Sequence, residues 1–501
     1  MSKQTFLKGA LLLIIAGLIT RIFGFVNRIV TARILGEEGV GIYMMALPTL
    51  VLVFTITQVG LPIAIAKRIS ELETSGKEEL IKPTLVFSLW VTGVMSIVTG
   101  VGLWFISPFI ADVLLQDGRV TMVLRAIIPA IPVIAVSSVI KGYFQGRQNM
   151  KPQAYTQVLE QVVRIGFIFI FTPPLLAYGL VTAAAGVMIG AVIGEIVSLV
   201  CMIYYFRKDY NPAVADEKTQ SIARPLLNIA LPASGNRAIG SSTYFLEPIV
   251  VAQGLTLFGY TTIEVSQLYG QLTGFILPLL MMPAFFTHGL STALIPALSE
   301  AHASGDRGLV NHRVQQAIRL SLLSGGFATI LLLIHPTSIL SLLYNTTSGD
   351  EMLKLMAPFF LLHYMQSPLQ AALQALDFAK EAMMNSLFGN LLKYSILLLL
   401  TTSIGFSGVV IAMVLGVVLV TGLHMLTMYR HRYHIMTGKQ AGAFLVLLSL
   451  SFAVGYVTTN ALPGSPIALF LSIATVSLIY IPLSVMLGLV KKDEWRLFVK
   501  K

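Results

Sequence analysis

The sequence predicts an all-α polytopic membrane protein with about fourteen transmembrane helices: two six-helix lobes in parallel repeat plus two C-terminal helices. Three observations point there. Only 11% of the 501 residues are charged and 55% are hydrophobic, with mean hydropathy +0.81. A soluble domain carries about 25% charge, so lipid must solvate much of this surface. The apolar residues fall in successive runs long enough to cross a bilayer. The basic residues between those runs are distributed unequally, as membrane sidedness requires.

Apolar runs of 18 or more residues place spans near 6–31, 41–66, 83–107, 120–140, 153–176, 179–206 and 222–252. Further spans follow near 267–296, 314–344, 353–376, 383–403, 408–429, 441–460 and 466–489. The basic start at Lys3 and Lys8 resembles a signal peptide. Its apolar run continues past Thr20 without a small-residue cleavage site, so it reads as the first retained span. Very short turns join neighbouring spans at Ala177–Tyr178 and Phe406–Ser407.

One set of connections holds Lys67, Arg68, Lys77, Lys82, Lys141, Arg147, Lys151, Arg207, Lys208, Lys218 and Arg224, and continues through Lys380 and Lys439 to the tail from Lys491. The alternate set holds Arg33, Arg119 and Lys354. The positive-inside rule then puts both termini in the cytoplasm of a multi-pass cell-membrane protein. The net charge of +11 is this bias, not a nucleic-acid surface. With the single cysteine Cys201, neither an intrachain disulfide nor a thiolate metal cluster can form.

The chain repeats itself. Gly60-Leu61, Ser70-Glu71 and Ser75-Gly76 recur as Gly289-Leu290, Ser299-Glu300 and Ser304-Gly305, an offset of 289 − 60 = 229. The same offset pairs Pro129 with Pro358, Gln145 with Gln374, Lys151 with Lys380, and Arg164 with Lys393. Arg21-x-x-Gly24 matches Arg237-x-x-Gly240 more weakly. Six helices per copy keep both copies in one orientation, so the division is 1–210, 211–436 and an added pair of helices with a tail in 437–501. A substrate path between such repeats lies near the midplane.

Arg21, Arg28, Arg125, Arg164, Arg237 and Lys393 fall within predicted spans, against the acids Glu160, Glu195 and Glu247. Each such charge costs roughly 2.5–3.5 kcal/mol at a helix centre, so a cavity or partner is expected for each. Arg21 and Arg28 are two turns apart on one face, and Arg21 sits roughly 20 Å beyond Lys8 along a helix. Glu160 and Arg164 are spaced for an ion pair on one helix. Glu160, Glu195 and Glu247 are candidate ion or proton sites. The bases outnumber the acids, so the path should be cationic. Gly186, Gly190 and Gly194 permit close helix packing. Pro48, Pro62, Pro132, Pro278, Pro283 and Pro368 are candidate kinks, and His288, His335, His363 and His424 are expected to be bonded within the bundle. No G-x-x-x-x-G-K-[ST] loop, nucleophile elbow or zinc motif occurs, and no connection is long enough for a catalytic domain. The chain therefore reads as neither an enzyme nor a cofactor protein.

The strings Thr20-Arg21-Ile22-Phe23-Gly24-Phe25, Ala32-Arg33-Ile34-Leu35-Gly36, Gly142-Tyr143-Phe144-Gln145-Gly146-Arg147 and Phe245-Leu246-Glu247-Pro248 resemble the multidrug/oligosaccharidyl-lipid/polysaccharide exporter superfamily, which includes the lipid II flippases. The resemblance runs over nearly the whole chain. It implies MATE-like lobes working by alternating access, and a role in spore cortex peptidoglycan synthesis. Arg21 matches the first-helix arginine of that family. Asn27 stands where the lipid II flippases tend to carry a second arginine, with Arg28 beside it. The expectation is a flippase of a polyprenyl-pyrophosphate-linked saccharide, its pyrophosphate held by Arg21, Arg28, Arg237, Arg164 and Lys393, with cell-wall synthesis enzymes as further partners. Guanidinium groups suit that cargo because they stay charged and fork onto phosphate oxygens. The alternative is a cation-coupled drug exporter of the same fold.

Overall fold

The computed structural model describes residues 3–210, 222–461 and 466–490, and the regular structure among them is helical throughout. Lys218 and the tail from Lys491, which entered the charge asymmetry, lie outside the described residues. Packing divides the chain into two compact units, Met1–Gly274 and Phe275–Lys501.

The first unit contains α1 (Lys3–Gln58), α2 (Leu61–Thr74), α3 (Ile81–Pro108), α4 (Val120–Ala126), α5 (Ala130–Gly146), α6 (Lys151–Leu175), α7 (Leu180–Asp209), α8 (Ala223–Phe258) and α9 (Thr262–Gly270). π-helical turns follow α3 at Phe109–Leu114 and α9 at Gln271–Ile276. Gly36 breaks α1 into two helices by adopting φ 65°, which only a residue without Cβ enters at little cost. A capping box starts α9: the Thr261 hydroxyl accepts from the Glu264 amide, and the Glu264 carboxylate accepts from the Thr261 amide. Leu61, Ile65 and Ile69 of α2, Val139 and Phe144 of α5, Met202 of α7 and Leu226 of α8 form one buried apolar cluster.

The second unit contains α10 (Leu277–Met281), α11 (Ala284–Ala303), α12 (Arg307–Ile334), α13 (Pro336–Tyr344), α14 (Asp350–Ala375), α15 (Ala379–Ile404), α16 (Phe406–Arg430), α17 (Gly438–Ala461) and α18 (Pro466–Met486). Asp306 caps α12 by accepting from the Leu309 amide at 2.9 Å. Leu298, Ile318, Leu369, Leu447 and Val476 anchor the apolar core. Two buried tyrosines donate to carbonyls there, Tyr364 to Leu280 at 2.7 Å and Tyr480 to Leu323 at 2.8 Å. The four expected histidines are bonded as anticipated: His335 with Thr459, His363 with Gln366, His424 with Asn385 and, at 3.5 Å, His288 with Ser367.

Large apolar side chains cover the outside, with Phe105 76% exposed and Ile97 and Phe169 each 67%. Such a surface is stable only against lipid. Among the described residues, nine helices are long and apolar enough to span, or eleven if two bent pairs each count once. The expected fourteen is not reproduced as a count, for two physical reasons. The stretch 16–74 is taken as one span although α1 turns at Gly36. α8 carries Arg237 and Glu247, and α14 carries His363 and Gln366, so neither is as apolar as a lipid-facing span. The bent pairs are α4 with α5, at 42°, and Thr262–Met281 with Ala284–Ala303, at 51°.

The 229-residue repeat extends to the backbone. Gly76 and Gly305 both end a helix with positive φ, at 69° and 72°. Gln116 and Asn345 do so at 55° and 59°, and Gln148 and Asp377 at 56° and 68°. The turn bonds correspond too: Asn149 N to Phe144 O at 3.0 Å, and Phe378 N to Leu373 O at 2.8 Å. Three pairs at one offset, none of them apolar matches, mark two copies of one design. The prolines behave less uniformly than expected. Pro48 and Pro368 lie inside helices, whereas Pro62 and Pro278 open α2 and α10 and Pro283 caps α11. At those positions the missing amide hydrogen is no loss, and Pro283 stands at the 51° bend between Thr262–Met281 and Ala284–Ala303, a kink as expected.

Candidate functional site

Charged groups in the first unit gather on α1, α5, α6 and α7. On α1, Arg21 and Arg28 are half-buried, and Asn27 and Thr31 between and beyond them are buried. The Asn27 Oδ1 and Thr31 Oγ1 atoms have no hydrogen-bond partner among the described residues. On α6, Arg164 Nη2 donates to Glu160 Oε1 at 2.5 Å, the i,i+4 pair that the spacing predicts. Tyr43, on the second half of α1, lies within electrostatic range of both Arg164 and Arg28. Those two cations, 136 residues apart by number (164 − 28), therefore share one neighbourhood.

Glu195 on α7 completes the cluster. Lys141 Nζ donates to Glu195 Oε1 at 3.2 Å, and Glu160 and Glu195 lie within electrostatic range of one another. Lys141 departs from its expected place in a connection. The bend at Ile127–Pro129 restarts the helix at Ala130, and α5 then continues to Gly146, which brings Lys141 inside the bundle. Lys141 and Arg164 pair with Glu195 and Glu160, and Arg28 lies near Arg164 through Tyr43, so the cluster carries three bases and two acids.

Gly194 makes this packing possible. A Cβ there would come within 2.9 Å of the Glu160 carbonyl oxygen and 3.3 Å of Arg164 Cβ. Gly194→Leu should push α7 off α6, lowering stability by about 1–3 kcal/mol as overpacking does. Thermal unfolding in detergent, with Gly166→Leu in open space as control, measures it.

The remaining candidates lie elsewhere. Arg237 on α8 is exposed and donates to Gln58 Oε1, at the end of α1, at 3.4 Å. Glu247 on the same helix is half-buried. Lys393 belongs to the second unit, its ammonium 4.4 Å from the centre of the Tyr394 ring and its stem against Gly416. Arg125 donates to Ser107 at 3.1 Å and lies 4.5 Å over the Trp104 ring, an arrangement typical of a membrane interface. Arg319 on α12, a charge inside an apolar run that went unremarked, is buried in the second unit. No group of three or more His, Cys, Asp or Glu with metal-ligand geometry occurs among the described residues.

Comparison with known proteins adds to this geometry. Residues 6–302 match the polysaccharide biosynthesis protein family, and residues 273–399 match the MatE family. Stage V sporulation protein B of Bacillus subtilis is 44% identical over 99% of this chain and 98% of its own length. The lipid II flippase MurJ of the same organism is 25% identical over 82% of this chain and 80% of its own. Among solved structures, a lipid II flippase MurJ in an inward closed conformation superposes with TM-score 0.71 at 17% identity, covering 94% of this chain and 97% of that one. An inward-facing multidrug resistance MATE transporter superposes with TM-score 0.66 at 15% identity, covering 82% and 94%. At those identities the structures establish the fold.

Proposed function

Because the chain belongs to the polysaccharide biosynthesis protein family, we propose that it is a flippase for a polyprenyl-pyrophosphate-linked saccharide, serving spore cortex peptidoglycan synthesis by alternating access. It is a multi-pass membrane protein of MATE-like fold whose relatives include a flippase. The cargo and the cellular role go beyond the family. The single observation that carries the reading is the basic cluster of the first unit, where Lys141 pairs with Glu195, Arg164 pairs with Glu160, and Arg28 adds a further cation near Tyr43 and Arg164. A pyrophosphate balances that further cation, and its oxygens match guanidinium donors. Arg21 extends the same α1 face by two turns, and Arg237 and Lys393 are further basic groups that the cargo meets in this scheme. Both termini lie in the cytoplasm. The two repeats, 1–210 and 211–436, act as the moving lobes, and 437–501 forms the added pair of helices. Cell-wall synthesis enzymes are the expected consumers of the cargo.

Glu160, Glu195 and Glu247 are the acidic groups that a coupling ion or proton would use in the cycle. A drug exporter, the rival of the same fold, needs an intramembrane carboxylate open to an organic cation. Glu195 meets Lys141 and Glu160 meets Arg164, which speaks for the anionic cargo. Arg21→Ala in a sporulating host, at matched protein level, should abolish cortex formation, whereas Arg21→Lys should retain part of it. Normal cortex with Arg21→Ala would remove this face from the mechanism.

A further inference from the structure

A second polar cluster in the first unit lies away from the basic site, where the second half of α1, the turn at 115–119 and α9 meet. Arg119 is its centre. It donates to Asp117 Oδ2 at 2.8 Å, to Ser266 Oγ at 3.1 Å, and to the Glu38 carboxylate. Ser266 in turn donates to Asp117 Oδ2 at 2.8 Å, and Gln271 Nε2 to Glu37 Oε2 at 2.6 Å. Asp117 and Ser266 are buried, whereas Arg119 and Glu38 remain partly open.

The seam beneath is smooth. A Cβ on Gly41 would meet the Ser266 carbonyl oxygen at 1.8 Å, and one on Gly270 the Glu37 carbonyl oxygen at 2.0 Å. A Cβ on Gly274 would meet the Val40 side chain, at 2.2 Å from Cγ1. Ser266, Gly270 and Gly274 recur every four residues, so one face of α9 and its π-helical continuation is stripped of bulk. Backbones this close touch without interlocking side chains, and such a seam can part and rejoin without repacking. Polar side chains from α8 and α9 also cover carbonyls at the end of the α3 π-turn. Gln253 Nε2 donates to Val113 O at 2.6 Å, and Thr262 Oγ1 to Gln116 O at 3.3 Å.

The Ser266 bonds to Arg119 and Asp117, the Gln271–Glu37 bond and the Gln253 and Thr262 bonds join the first repeat to the first two helices of the second. The ion pairs of Arg119 with Asp117 and Glu38 lie within the first repeat and hold the guanidinium against Ser266. The two repeats are the parts that alternating access must separate at one membrane face. The bonds are suited to that. The crossing bonds are single hydrogen bonds, each contributing about 0.5–3 kcal/mol net. Their partners rehydrate on opening, and the carbonyls released at Val113 and Gln116 lie at a helix end. We infer that Arg119, with Glu38, Asp117 and Ser266, is a latch that holds this end of the path shut and must release in each transport cycle. The inference rests on the alternating-access reading but not on the cargo.

A cysteine reporter tests it. In a Cys201→Ser background, Val40→Cys places a thiol at the buried seam, and Ala64→Cys places one in the apolar cluster of α2 and α5. Arg119→Gln should raise labelling of Val40→Cys in native membranes by a permeant maleimide about tenfold, leaving Ala64→Cys unchanged. Arg119→Lys, which keeps charge but cannot fork across two carboxylates, should fall between. Should Arg119→Gln not accumulate, Glu38→Gln is read the same way. Unchanged labelling at Val40→Cys, or equal increases at both thiols, overturns the latch. Because the reporter senses parting of the seam whatever is carried, its result stands apart from the cortex phenotype of Arg21→Ala.

Discussion

Lys141→Met should be among the most damaging single changes to the first unit, lowering its stability by roughly 3 kcal/mol, the low end for breaking a buried ion pair. Glu195 is nearly enclosed by α5, α6 and α7, and the lysine ammonium at 3.2 Å is its counter-charge. Removing the ammonium leaves the Glu195 carboxylate near Glu160 without its ion-pair partner. The double change Lys141→Met/Glu195→Gln removes the orphaned charge as well and should recover most of the loss. Thermal unfolding of wild type, both singles and the double gives the coupling directly, expected at about 1–3 kcal/mol. A double variant no more stable than Lys141→Met would mean that Glu195 leans on Arg164 or on solvent instead. The double variant removes one base and one acid and so leaves the basic surplus unchanged, and transport should recover together with stability.

That cluster also marks how far sequence reasoning reaches. The helices were legible because hydropathy is a local property. Most boundaries fall within a few residues of those expected, as for 179–206 against Leu180–Asp209. The Glu160–Arg164 pair was legible because both groups sit on one helix at a spacing that fixes their separation. The Lys141–Glu195 pair was not, because its members lie on different helices and the bend near Ile127 sets their relative depth. Arg319 is a different kind of miss. It stands inside an apolar run, and only a complete tally of charges by span would have found it. For the seam, the Ser266, Gly270, Gly274 spacing was present in the sequence as plainly as Gly186, Gly190, Gly194. Nothing local said that Gly41 would be its partner. The repeat was read from residue matches, and the paired positive φ values at Gln116 and Asn345 show that it persists where the residues themselves differ.

Gly41→Ala should act on one conformation more than on the fold. The added methyl would sit 1.8 Å from the Ser266 carbonyl oxygen, and the neighbouring atoms, Ser266 C at 2.5 Å and Cα at 3.1 Å, are backbone as well. No rotamer relieves such a contact, so α1 and α9 must move apart wherever the seam is closed. Overpacking of this kind costs about 1–3 kcal/mol. If the seam opens in the normal cycle, that cost falls on the closed state alone and shifts the population toward the open one by roughly 5–150-fold. The protein should then accumulate normally, label rapidly at Val40→Cys, resist labelling at Ala64→Cys, and fail to complement in a sporulating host. Adding Arg119→Gln should accelerate labelling little further, because a seam already open has no latch left to lose. A fixed structural contact behaves otherwise: Gly41→Ala would lower accumulation and unfolding temperature, and the two changes would add. The double variant therefore separates a gate from a brace.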